Sequence, residues 1–115
     1  MEQDCIFCKI AAGEFNTKFV FENDELVAFR DIRPQAPVHI LIIPRRHIDR
    51  INQLTDSNVE LVGKMVLVAN QLAKNESISD SGYRLVFNCG RDSGQEVEHI
   101  HLHLFGGRKM SWPPG

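Results

Sequence analysis

The chain has no long hydrophobic run; its longest uninterrupted apolar stretches are Ile40 to Ile43 and Met65 to Ala69. Neither approaches the ~20 apolar residues of a membrane-spanning helix, so no membrane partner is expected. An excess of one charge is also missing. Lys and Arg number 13 against 15 Asp and Glu, for a net charge of −2. A domain that coats nucleic acid needs a basic surplus, so no nucleic-acid partner is expected either. Cysteines are few and odd in number, three in 115 residues. The opening Met1-Glu2-Gln3-Asp4 has neither a basic start nor an apolar continuation, so no signal peptide is expected. A disulfide framework is then out of place, and a cytoplasmic protein with reduced thiols is the expectation. Repeats, low-complexity tracts and linker-like composition shifts are absent as well. What remains is a single domain over residues 1–115.

Within that domain, residues 18–22 and 26–30 are short β-compatible runs separated by the polar break Asn23-Asp24-Glu25. Pro34 and Pro37 bracket a loop, and Val38 to Ile43 is a β-branched apolar run that stops at Pro44. The period then changes. Leu61, Met65, Val68 and Leu72 recur at helical spacing, and Val62, Val66, Ala69 and Ala73 repeat the row one residue on. Two adjacent rows make one broad apolar face on a helix of about five turns, with Thr55 or Asp56 as N-cap and Glu60 near the positive end of its dipole. After Asp80-Ser81-Gly82, Tyr83 to Asn88 and His99 to Phe105 read as two more strands. With a helical turn near Cys8 to Ala12, the expectation is α+β: a largely antiparallel five-stranded sheet with one long and one short helix.

The sharpest feature is His99-Ile100-His101-Leu102-His103-Leu104. On a strand, side chains alternate, so three imidazoles would share one face while Ile100, Leu102 and Leu104 fix the register on the other. One reading has all three histidines on a single catalytic zinc. Ligand atoms on tetrahedral zinc lie about 3.4 Å apart. Strand rise, however, puts the Cα atoms of His99 and His103 about 13 Å apart. The better reading makes His101 a nucleophile or acid–base group flanked by the other two. Just before it, Gly90-Arg91-Asp92-Ser93-Gly94-Gln95-Glu96-Val97 is a loop able to offer backbone N–H groups to a phosphate. Phosphoryl chemistry of that kind needs positioning and charge stabilisation more than it needs a metal.

These residues fit the His-φ-His-φ-His-φ-φ pattern (φ apolar), and the whole chain resembles the histidine-triad superfamily, in particular its Hint branch. Asp31-Ile32-Arg33-Pro34-Gln35-Ala36-Pro37-Val38-His39, Ile43-Pro44-Arg45-Arg46-His47-Ile48, Gly106-Gly107-Arg108 and Trp112-Pro113-Pro114-Gly115 carry the likeness beyond the triad. The resemblance implies the histidine-triad fold and a homodimeric purine nucleoside phosphoramidase. Such an enzyme cleaves a P–N bond through a nucleotidyl-histidine intermediate and requires no cofactor for catalysis. By position, it implies His101 as nucleophile with His39, His99 and His103 completing the cluster. It also implies Asp31 on the ribose hydroxyls, Ile32 at the base and Asn88 on the sugar–phosphate side. The loop Gly94, Gln95, Glu96 and Val97 would hold the phosphate, and Trp112 would edge the partner subunit's nucleotide pocket. Glu96 departs from members that carry Ser or Thr there. A carboxylate only accepts and repels phosphate, so it either turns outward or orients the leaving amine. Two other readings share the triad: a dinucleoside polyphosphate hydrolase, and a nucleotide-binding regulator with little turnover.

Cys5-Ile6-Phe7-Cys8 is a CxxC without the βαβ context of a redox motif. Alone, it leaves open metal ligation or two thiols packing a short helix. The resemblance implies a structural Cys₂His₂ zinc site, completed by His47 and His99. Cys89 has no evident partner and is expected to be a free buried thiol.

Overall fold

A computed structural model describes residues 4–115. Five strands form one antiparallel sheet: β1 (Phe21–Glu22), β2 (Leu26–Arg30), β3 (Val38–Pro44), β4 (Tyr83–Phe87) and β5 (Leu102–Gly106), in the order β1-β2-β3-β5-β4. The long helix α2 (Val59–Asn75) and the short helix α1 (Ile6–Ala11) lie on opposite faces. The architecture is the expected α+β sheet.

Strict alternation divides the sheet. Leu26, Ala28, Ile40, Ile42, Leu102 and Leu104 face Met65, Ala69, Leu72 and Ala73 of α2. Val27, Phe29, Leu41 and Ile43 face the other way, against Phe7 and Ala11 of α1. Covered on both sides, β3 is buried along its whole length, as its continuous apolar run requires. Thr55 does act at the helix entry, its N–H donating to Asn58 Oδ1 at 2.9 Å, but a 3₁₀ turn over Asp56–Asn58 intervenes before α2. Of the second apolar row, Ala69 and Ala73 are buried, whereas Val62 and Val66 are only half-buried.

Three boundaries differ from expectation. The first strand pairs only at Phe21 and Glu22, and the helical turn expected near Cys8 to Ala12 is α1, starting earlier at Ile6. The histidine strand begins at Leu102 rather than His99. Its ladder to β3 ends at Ile42↔Leu102, because Pro44 further along has no N–H to donate and Ile100 N–H turns to Ile48 O at 2.7 Å. Cys89, expected to be buried, is half-buried where the chain leaves β4, and none of the three cysteines forms a disulfide. No described helix is long and apolar enough to cross a membrane.

Candidate active site and metal centre

The sheet face opposite α2 floors an open cleft of about 680 Å³, a volume that suits a small-molecule ligand. Its walls gather Asp31, Ile32, His39, Asn88, His101 and His103 from separated parts of the chain, with Gly94, Glu96 and Val97 on the loop side. The register explains the grouping: Leu41 lies opposite His103 and His39 opposite Phe105, so the two imidazoles sit diagonally on neighbouring strands.

The hydrogen bonds fix which nitrogen carries each proton. His101 Nδ1 lies 2.7 Å from the carbonyl oxygen of His99. A carbonyl only accepts, so Nδ1 holds the hydrogen and Nε2 keeps its lone pair. Burial pushes the His101 imidazole below its usual range, which favours this neutral, nucleophilic form. Phe7 of α1 packs edge-on against the ring at 5.0 Å between centroids. Gln35 N–H donates to His39 Nδ1 at 3.1 Å, so His39 carries its hydrogen on Nε2. That hydrogen points to His103 Nδ1 at 2.9 Å, leaving His103 with an N–H on Nε2. Burial first, then the neighbouring His101 and His39, pushes His103 down to about 4; it is a neutral donor at pH 7. The cleft therefore holds one imidazole lone pair beside one imidazole N–H, with the two rings 5.0 Å apart.

The loop leaves backbone donors open toward the cleft side. Gly94 adopts φ +89°, a left-handed conformation that glycine enters without strain. Gln95 does not line the cleft. Its side chain ties the loop down, accepting from Gly90 N–H at 2.8 Å and donating to the carbonyls of Asp49 and Val97 at 2.9 Å each. The backbone amides of Glu96 and Val97 donate to no group among the described residues. Glu96 is exposed and is among the residues lining the cleft. Asp31 Oδ1 accepts from Arg33 N–H at 2.8 Å, while Oδ2 lies 3.5 Å from His39 Nε2. Ile32 is 93% exposed at the lip, and Trp112, 81% exposed, does not line this chain's cleft.

His99 departs from the expectation that three imidazoles share one face. With no ladder holding it, its ring turns away from His101 and His103 to join Cys5, Cys8 and His47, the four ligand atoms lying within 4.8 Å of one another. Cys5 Sγ is 3.2 Å and Cys8 Sγ 3.4 Å from His99 Nδ1, and Cys8 Sγ is 3.2 Å from His47 Nδ1. Sulfur and nitrogen ligands on tetrahedral zinc lie about 3.5 Å apart. His99 Nε2–H donates to Pro44 O at 2.7 Å, and His47 Nε2–H donates to the Asp49 carboxylate. Both rings thus aim a lone pair at the thiols, with outer partners of the kind that orient metal-bound histidines. Burial pushes His99 down to about 4, which keeps that lone pair free. The residues fit zinc.

A second group of possible ligands, Asp31, His39 and His103, is as tightly gathered. It fits a metal poorly. Metal on His39 Nε2 would force the ring proton onto Nδ1, against the Gln35 N–H that already points there.

The sequence reading missed Phe7, Phe29 and Leu41 in the cleft wall and Asp49 behind His47. Phe7 lies inside the CxxC, but nothing in that pattern announces a contact with residues some ninety positions away. One cleft of a small α+β domain thus holds an unprotonated imidazole nitrogen, an imidazole N–H and a loop with open backbone amides, an arrangement able to attack a phosphoryl group and stabilise its charge. A family model described as "scavenger mRNA decapping enzyme C-term binding" matches residues 4–112. The chain is 46% identical over 110 residues to a purine nucleoside phosphoramidase of Escherichia coli, covering 96% of this chain and 92% of that one. A crystal structure of a HIT family hydrolase from Legionella pneumophila superposes with a TM-score of 0.95 at 57% identity, covering 96% of this chain and 99% of the other. A histidine triad protein from Clostridium difficile gives 0.90 at 42% identity, covering 94% of each. The chain belongs to the histidine-triad family.

Proposed function

We propose that the chain hydrolyses the P–N bond of purine nucleoside 5′-phosphoramidates, of the adenosine 5′-monophosphoramidate type, through a nucleotidyl-histidine intermediate. The observation that carries this reading is His101 Nε2, its lone pair left free by the Nδ1–H bond to His99 O. The name of the Escherichia coli relative supports the same substrate class. His101 Nε2 attacks phosphorus and forms an Nε2–P bond. The P–N bond breaks, its electron pair goes to the leaving nitrogen, and that nitrogen takes up a proton and departs as the amine. Water then attacks phosphorus, releasing the nucleoside monophosphate and restoring the imidazole. The Glu96 and Val97 amides and His103 Nε2–H supply donors for the phosphate oxygens, whose charge grows during attack. Adenosine monophosphate release should be far faster from adenosine 5′-phosphoramidate than from diadenosine tetraphosphate, as read by chromatography of the products. Faster cleavage of the tetraphosphate would overturn the assignment.

Asp31 accepts from the ribose hydroxyls, Ile32 covers the base and Asn88 reaches the sugar–phosphate side. Hydrogen bonds from a hydroxyl to an ionised carboxylate are worth roughly 1.5–3 kcal/mol each. Asp31→Asn should therefore weaken nucleoside monophosphate binding about tenfold or more while changing kcat less. Calorimetry with ribo- and 2′,3′-dideoxynucleotides checks this, and equal affinities in the unmutated protein would remove Asp31 from the role.

Cys5, Cys8, His47 and His99 would hold a structural zinc. With four protein ligands it keeps no open position for substrate, and its chemistry is a crosslink between α1, the segment after β3 and the start of the histidine run. Two features support a homodimer: β4 is a sheet edge with half-buried side chains, and α2 leaves Leu67 66% exposed. In such a dimer the exposed Trp112 of one protomer serves its partner's cleft. A cytoplasmic setting accords with three cysteines outside any disulfide.

A further inference from the structure

Gly106-Gly107-Arg108 is a sequence motif that the proposed chemistry leaves unused. Gly106 ends β5 against Ile78, where a Cβ would come within 2.3 Å of the isoleucine side chain. Gly107 follows with φ +89°, and a Cβ there would sit 2.8 Å from Pro37 Cβ. Only glycine allows that approach. The consequence is that the chain leaving β5 presses on the loop between Pro34 and Pro37. From there Arg108 reaches the Gln35 carbonyl oxygen with two donors, Nε at 3.1 Å and Nη2 at 2.9 Å, while Nη1 donates to Lys109 O at 3.1 Å.

Gln35 is the residue whose amide decides the His39 proton. Its N–H meets His39 Nδ1 at 3.1 Å, and its side-chain amide donates to Arg33 O at 3.0 Å. Four groups thus stand in series: guanidinium to the Gln35 carbonyl, the Gln35 amide to His39 Nδ1, His39 Nε2–H to His103 Nδ1, and His103 Nε2–H into the cleft. Each link has one possible direction, because a guanidinium and an amide N–H can only donate and a carbonyl can only accept. Phe105 lies beside both rings, stacked parallel to His103 at 5.4 Å and 4.2 Å from His39. It fixes the ring positions, but having no polar atom it says nothing about the protons.

We propose that Arg108 is a positioning residue that, by clamping the Gln35 carbonyl, holds His39 and His103 in the tautomers that present an N–H to the substrate phosphate. The inference rests on the phosphoramidase reading for its effect on rate. Its effect on the tautomers stands independently of that reading. The clamped carbonyl belongs to the Gln35–Ala36 peptide and the N–H to the Pro34–Gln35 peptide, so the clamp acts by fixing the φ and ψ of Gln35 between them. Once it is gone, Gln35 can turn about those angles, His39 Nδ1 loses its donor, and the hydrogen is free to move to that nitrogen. His103 then receives no N–H on Nδ1, and its own proton is no longer confined to Nε2.

The experiment uses Arg108→Met, which keeps the aliphatic stem, and Arg108→Lys, which retains one donor on a flexible stem. The tautomers of His39 and His103 are read by ¹⁵N NMR of the full chain, alongside adenosine monophosphate affinity, kcat on adenosine 5′-phosphoramidate and melting temperature. In the unmutated protein both rings should show a single Nε2–H form. Arg108→Met should show a mixture at His39 and His103, with kcat down about tenfold, the low end of what losing an outer hydrogen-bond partner costs a histidine site, since Arg108 acts on the rings through Gln35. Nucleotide affinity should stay within about twofold, and Arg108→Lys should fall between the two. A folded Arg108→Met protein with unchanged tautomers overturns the proposal, and so does a changed tautomer pattern with native kcat. Should the unmutated chain cleave no phosphoramidate, the proposed activity fails. The NMR comparison would still decide whether Arg108 sets the tautomers.

Discussion

Turnover in His101→Ala is expected to fall by at least about 10⁴-fold, as losses of a covalent nucleophile do, with adenosine monophosphate affinity and melting temperature close to native. The imidazole Nε2 has no structural partner among the described residues, so the attacking atom itself holds no part of the fold. What the fold loses is edge contacts with Phe7 and His103, at 5.0 Å each, and the Nδ1–H bond to the His99 carbonyl. The Glu96 and Val97 amides, the Gly94 turn and Asp31 lie on other segments and keep the nucleotide site. Paired steady-state kinetics and calorimetry on one sample separate the two effects. A variant that lost affinity and rate together would recast His101 as a binding group.

Replacing Cys5 or Cys8 with serine has the second large effect. Protein purified without added zinc should carry about one equivalent per chain, and either variant should lose it together with much of its thermal stability. The stability loss has a local route. Cys5 Sγ caps α1 by accepting Cys8 N–H at 3.2 Å, and α1 carries Phe7 onto the second core with Phe29 and Leu41. Activity should fall too, because Phe7 touches His101 and the His99 carbonyl orients its Nδ1–H. Elemental analysis with a melting curve checks the account. A fully reduced, active protein without zinc would leave the thiols as packing residues.

Much of this site was legible because its residues obey short-range rules. Alternation along residues 38–44 and 102–106 assigns His39, His103 and Leu41 to one face and Ile40, Ile42 and Leu104 to the other, as the structure has them. The same rule misplaces His99. Whether a strand continues depends on a ladder partner, and Pro44, more than fifty residues earlier, withholds its N–H. The CxxC by itself offered two ligands; the other two, His47 and His99, followed only from the family resemblance, and the fold brings all four together. The tautomers were illegible for the same reason, since each proton is set by a carbonyl or amide brought from elsewhere by the fold: Pro44 for His99, Gln35 for His39. Trp112 was placed only by the family resemblance, at a partner's pocket, and in the single chain it stands in solvent.

The central claim is a covalent nucleotidyl group on His101, and rapid acid quench tests it most directly. Unmutated protein mixed with adenosine 5′-phosphoramidate labelled in the adenosine is quenched during turnover, digested and mapped by mass spectrometry. The label should reside on the peptide carrying His101, on the imidazole, and be missing from His101→Ala. Label on another residue, or steady turnover with no protein-bound nucleotide at any quench time, would contradict the account.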